Sequence, residues 1–314
     1  MKLITFIKNW TLPIAMLAGV LIYLAFAHIA LLAPTKPVVH RIDAFLTPAL
    51  IFMQLLLTFC KVNPRDFSFR PWHFILLAFQ LVSSVLVYVL LRPLGEIVAQ
   101  GAMVCLICPT ATAAAVITDK LGGNAGSLVT YTFLVNILAA VFVPIFFPIV
   151  NPTAEMSFLH SFLLILSKVF PLLICPFLLA QIFRFLLPAI HSWLRLHASA
   201  AFYIWAVALA MVMGKTAKSI CDHDGGNAIL FVLAVVSLAI CAMQFALGKY
   251  VGTRYNDRIS GGQALGQKNT VLAIWMSYTY LLPVTSVAPG AYVLWQNIIN
   301  SYQLWKRRKK QAVS

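Results

Sequence analysis

Residues Ile259–Leu282 read ISGGQALGQKNTVLAIWMSYTYLL. The stretch is apolar enough to cross a bilayer, which takes about 20 such residues. Yet it is loosened by Gly261, Gly262 and Gly266, and it carries Lys268 flanked by Gln267, Asn269 and Thr270. Lys268 lies about ten residues into the span, too deep for its stem to reach water easily. Ionisable groups held at that depth are, as a rule, functional or paired. The alternatives are a structural pairing or a side chain that snorkels.

The rest of the 314-residue chain is of the same kind. It is 61% hydrophobic and 10% charged, with mean hydropathy +0.91, whereas soluble domains carry roughly 25% charged residues. It therefore reads as an all-α polytopic membrane protein in contact with lipid. The net charge of +15 does not imply a nucleic-acid partner, because the basic residues sit in short loops and at the C-terminus, as orientation signals do. The stretch WKRRKKQ (Trp305–Gln311) reads as a topogenic anchor within a basic cytoplasmic tail, 305–314. The six cysteines have neither disulfide-framework nor metal-ligand spacing. No metal, cofactor or redox role is expected.

Apolar runs begin near Trp10, Asp43, Trp72, Gly95, Asn124, Phe158, Ala198, Asn227, Ile259 and Pro283, which predicts ten spans. Of the 23 Lys and Arg residues, Lys168 and Lys268 fall within apolar segments, and Lys36, Arg41, Arg92, Lys215 and Lys218 fall on the outside. The remaining sixteen lie inside, so both termini are expected in the cytoplasm. The alternative for span 1 is a signal peptide cleaved at AFAH (Ala25–His28), which would leave nine spans.

Ten spans divide into five plus five, and an odd number per half inverts the second half in the membrane. Inverted repeats of this kind are common in secondary transporters, whose sites lie at broken helices in matching positions. Span 4 reads GAMVCLICPTATAAAVITDK (Gly101–Lys120), with Pro109 at its middle and Thr110 and Thr112 after it. Span 9, the fourth of the second half, is interrupted at Gly266. Each break starts a half-helix whose N–H groups carry partial positive charge and suit an anion. The opposing C-terminal ends offer carbonyls that suit a cation.

The stretches CPTATAAAVIT (Cys108–Thr118), GSLVTYTFLVN (Gly126–Asn136), GQKNTVLA (Gly266–Ala273) and APGAYVLWQNIINS (Ala288–Ser301) resemble motifs in spans 4, 5, 9 and 10 of the bile acid:sodium symporter family. The resemblance implies a panel domain of spans 1, 2, 6 and 7 (10–60, 158–216) and a core domain of spans 3–5 and 8–10 (72–151, 227–304). Spans 4 and 9 would cross as discontinuous helices. It also implies alternating-access transport of a small organic anion with sodium, in a bacterial inner (plasma) membrane. Substrate contacts would fall on Thr112, Ala113, Asn269, Thr270, Gln296 and Asn297.

Departures from the family pattern bear on the ions. Ala114 and Ala115 stand where the resembled sodium site has Ser and Asn. Leu128 replaces a hydroxyl, and Ala264 replaces a glutamate. Gln80, Thr132 and Gln267 remain as polar positions, and Lys268 stands where a glutamine is expected. A glutamate with two sodium ions sums to +1, and alanine with one ammonium gives the same sum. Lys268 is therefore expected to replace bound sodium, donating to Gln80 and nearby carbonyls. Burial also weakens a lysine's hold on its proton, so H+ is the candidate coupling ion, with uniport as the other option. Sodium-coupled organic anion or bile acid symport through a reduced ion site is the alternative. A non-transporting receptor or scaffold is the alternative of another class.

Asn136 reads as a core hydrogen bond, His28 as a satisfied interior histidine, and Lys168 as facing a cavity wall or snorkelling. The chain carries no HExxH motif, paired carboxylates or phosphate loop, so an enzyme is not expected. A reporter that matures only in the cytoplasm, fused after Ser314, should be active. A phosphatase that needs export, fused at the same point, should be inactive.

Overall fold

A computed structural model describes residues 11–61, 63, 65, 67–111, 113–152, 157–222 and 226–311. Among them are thirteen α-helices and no β-strand. These are α1 (Thr11–His28), α2 (Lys36–Phe59), α3 (Pro71–Leu91), α4 (Glu96–Ile107), α5 (Ala114–Leu121), α6 (Ala125–Val150) and α7 (Phe158–Leu186). They continue with α8 (Pro188–Leu196), α9 (Ala200–Cys221), α10 (Asn227–Thr253), α11 (Arg258–Gly266), α12 (Thr270–Tyr280) and α13 (Val287–Gln311). Six helical segments are long and apolar enough to cross a membrane: Lys36–Phe59, Pro71–Leu94, Ala125–Val150, Phe158–Leu186, Tyr203–Cys221 and Asn227–Thr253. The chain is an all-α membrane protein.

Two compact units emerge. The first comprises Met1–Lys61 with Cys175–Asp224, the second Val62–Ile174 with Gly225–Ser314. In the first, α9 packs against both α1 and α2. A Cβ at Gly19 would collide with the carbonyl of Ala210, so α1 and α9 approach backbone to backbone. Asp43 accepts from Thr47 at 2.9 Å and pairs with Lys215 at 2.8 Å, which fixes α2 against α9.

In the second unit the closest pairing is α10 with α11. Gly248 and Gly252 face Gly261 and Gly262, and a Cβ at Gly248 or Gly261 would fall on the other helix's carbonyl. Lipid gives no hydrophobic force between helices, so such close packing supplies the attraction. At one end of this unit Asp257 accepts from Arg70 and from the Trp72 indole, both at 3.2 Å, and ties the start of α11 to the start of α3.

The structure sharpens several sequence expectations and corrects that for His28. Helix α2 begins at Lys36 rather than Asp43, because Pro37 suits a first helical turn. The basic tail expected from residue 305 continues α13 as far as Gln311, as unbroken helix formers allow. His28 is exposed at the end of α1, not a satisfied interior group. Lys168 is also exposed, on α7. The amphipathic helix α8 is too short for a hydropathy count to register; it buries His191 and Leu194 and exposes Ile190, Trp193 and Leu196.

Gly261→Val should destabilise the protein by about 1–3 kcal/mol, the usual cost of overpacking, read as a lower melting temperature in detergent. Gly126→Ala, whose Cβ would meet only Asn124 Oδ1 at 3.4 Å, should leave that temperature unchanged or raise it.

Candidate functional site

Two helices of the second unit are broken at mid-length, and the breaks touch. Helix α4 ends because Pro109 lacks an N–H and forces the preceding residue out of helical geometry. Cys108 accordingly has φ −55° and ψ 135°. Helix α11 ends at Gly266, where Gln267 turns extended at φ −96° and ψ 97°. Thr110 and Lys268 then form an isolated antiparallel β-bridge. The Ala111 N–H donates to the Gln267 carbonyl at 2.9 Å, and the Asn269 N–H to the Pro109 carbonyl at 2.8 Å. Helix α5 restarts the first segment at Ala114. Helix α12 restarts the second at Thr270, capped by Asn269 Oδ1 accepting from the Leu272 N–H at 3.3 Å.

A broken helix inside a bilayer leaves terminal carbonyls that no water can satisfy. At the end of α4 they are taken by the side chains of Gln244, Lys268 and Gln80. Cys105 O accepts from Gln244 Nε2 at 3.1 Å, Leu106 O from Lys268 Nζ at 3.0 Å, and Ile107 O from Gln80 Nε2 at 2.9 Å. At the end of α11, Ala264 O accepts from Thr110 Oγ1 at 2.6 Å and Gly266 O from Tyr292 Oη at 2.8 Å.

Lys268 is the centre of this arrangement. It is 1% exposed. Its ammonium donates to Gln80 Oε1 at 2.9 Å as well as to Leu106 O. Gln80 Oε1 also accepts from Tyr131 Oη at 3.2 Å, so one amide oxygen holds both donors. Among the described residues the ion pairs are Arg70–Asp257, Arg92–Glu96, Lys215–Asp43 and Lys218–Asp222, and none neutralises Lys268. The charge instead sits at the C-terminal end of α4, where the helix dipole is negative.

The remaining expected positions distribute as follows. Gln296 reaches the crossing, where its Oε1 accepts from the Lys268 N–H at 2.9 Å. Asn297 turns to its own helix and donates to Val293 O at 2.8 Å. Gln267 and Thr270 are buried beside the breaks, and Gln267 Oε1 and Thr270 Oγ1 have no hydrogen-bond partner among the described residues. Ala113 ends the first break and is half-buried. Thr112 lies outside the described residues. Thr132 spends its hydroxyl on Leu128 O at 2.9 Å, and Asn136 donates to Thr132 O at 2.6 Å. Ala114, Leu128 and Ala264 pack into one apolar cluster with Trp72, Leu76, Tyr131, Val135 and Leu265, and Ala115 lies against it. That volume is apolar and offers no side-chain oxygen from those three positions.

The residue pattern did not single out Gln244, Tyr131 or Tyr292, although all three are fully buried. The available signal was a glutamine inside an apolar helix, which Gln244 shares with Gln80.

Gln80→Leu should destabilise the protein by about 3 kcal/mol, because it strands a buried charge. Adding Lys268→Leu should recover part of that loss. A double-mutant cycle of melting free energies should give a coupling of about 1–3 kcal/mol. Additive effects would mean that the pair does not interact. The chain matches no protein-family model and no curated protein.

Proposed function

We propose that this protein is a secondary active transporter of a small organic anion, related in plan to the bile acid:sodium symporters, in which Lys268 stands in for bound sodium. The observation that carries the reading is the Lys268 ammonium, buried at the crossing of two broken segments and held by Gln80 Oε1 and Leu106 O. Paired breaks inside apolar segments are where transporters of this type bind substrate and ion. On this reading the ten apolar segments form two inverted repeats, and the second unit is the transport core. The protein lies in a bacterial inner membrane with both termini cytoplasmic.

Sodium independence follows from ligand count. A hard cation needs several oxygens, yet Ala114, Leu128 and Ala264 close the first expected ion position with apolar packing. A fixed ammonium occupies the second. Transport is then coupled to protons or uncoupled. The substrate anion would meet the half-helix starts at Ala114 and Thr270, with Asn269, Thr270 and Gln296 beside it. One feature favours sodium coupling through a reduced site: the side-chain amide oxygen of Gln267, Oε1, buried and unpartnered among the described residues, is a cation ligand by type.

A thermal-shift screen of carboxylates, sulfonates and keto acids would supply a substrate for uptake into proteoliposomes. Uptake should persist when external sodium is replaced by choline. Lys268→Gln should slow uptake by about tenfold or more, the effect of losing a charged hydrogen-bonding group worth upwards of 1.4 kcal/mol, while the protein still melts cooperatively. An absolute requirement for external sodium would overturn the reading. Absence of counterflow with every compound that shifts the melting temperature would favour a receptor or scaffold.

A further inference from the structure

The end of the second unit that carries the Arg70–Asp257 pair holds a cavity of about 630 Å³ with no part in the transport reading. Three of its lining residues, Arg70, Asn124 and Asp257, are the N-caps of α3, α6 and α11. Arg258 and the Gly122–Gly123 pair complete the part of the wall that matters here. Among the described residues one carboxylate lines the cavity, and it is already committed. Asp257 is 4% exposed, and its Oδ2 accepts from both Arg70 Nη1 and Trp72 Nε1.

Arg258 therefore faces the space with no ion-pair partner among the described residues. A second guanidinium adjoins it. Arg307, from α13, lies over Gly122 in the volume that a Cβ would fill, and it too makes no ion pair among the described residues. Gly122 has φ +75°, the left-handed geometry that ends α5 and that glycine adopts without strain. Two uncompensated guanidiniums thus adjoin three helix starts, each of which contributes partial positive charge. Basic loops that merely orient a membrane protein require no cavity. A positive potential beside helix N-termini, here in an open depression, suits an oxyanion, and the guanidinium fork matches phosphate oxygens in pairs.

We propose that this cavity binds a phosphate group, carried by a phospholipid or by a soluble phosphate compound, with Arg258 and Arg307 as its charged partners. The ligand would tie together the starts of α3, α6 and α11. Helix α11 runs from Arg258 at the cavity to Gly266 at the helix crossing, so occupancy at one end bears on the position of the other.

The test uses the full chain and does not depend on transport, so its failure leaves the transporter reading standing. In detergent, inorganic phosphate and pyrophosphate are titrated while melting temperature and binding heat are followed. In nanodiscs, phosphatidylcholine alone is compared with phosphatidylcholine containing phosphatidic acid, and retained lipid is read by native mass spectrometry. Saturable binding in the first arm assigns a soluble phosphate, and retention in the second alone assigns a lipid headgroup. Arg258→Gln with Arg307→Gln should weaken either by about tenfold, the effect of losing charged hydrogen bonds worth near 1.4 kcal/mol. Lys120→Gln with Lys306→Gln, basic positions absent from the cavity wall, should not. No saturable binding in either arm, or an equal loss in the Lys120 and Lys306 control, overturns the proposal.

Discussion

An ammonium held against the open end of a helix organises the second unit. A bilayer interior supplies no water, so a chain that breaks two apolar segments there must satisfy every freed carbonyl from within. Here each break bonds to the backbone of the other, and side chains take what remains. Lys268 serves two needs at once, completing the Leu106 carbonyl and placing positive charge where the α4 dipole is negative. Withdrawing a charge from water is costly, and only good hydrogen-bond geometry offsets it. The orientation of Gln80 follows from that demand, with its oxygen turned to Lys268 and Tyr131 and its nitrogen to the C-terminal end of α4.

The two halves of this unit solve the same problem with the same side chains. In one, Gln80 from α3 and Tyr131 from α6 meet at the crossing. In the other, Gln244 from α10 and Tyr292 from α13 meet there, the tyrosine reaching on to Gly266 O. A glutamine offers both a donor and an acceptor on one short stem, which suits a position between two helix ends. The difference lies in the occupant. Gln80 Oε1 holds an ammonium, whereas Gln244 Oε1 has no partner among the described residues.

A tethered cation behaves differently from a dissolved one. Lys268 belongs to the chain and cannot leave, so its bonds to Gln80 Oε1 and Leu106 O hold the crossing together. Ala114, Leu128 and Ala264 pack together in one apolar cluster with Trp72, Leu76 and Tyr131.

The sequence by itself determined the class of protein, the places where helices fail, and the presence of a charge at depth. Each is a local property: hydropathy counts over about 20 residues, Pro109 cannot donate a helical hydrogen bond, and Lys268 stands among apolar neighbours. Only the tertiary structure decided what those features meet. Gln80 lies 188 residues from Lys268 in the chain, and Leu106 lies 162 away. Tyr131 and Tyr292 carry no local sign that they converge on the breaks, and Gln244 shows only that a glutamine lies inside an apolar helix. Asp257 looks like one loop carboxylate among several until the fold brings Arg70 and Trp72 to it. Periodicity and propensity act over a few turns of chain, whereas the partners of a buried polar group are set by which helices pack together.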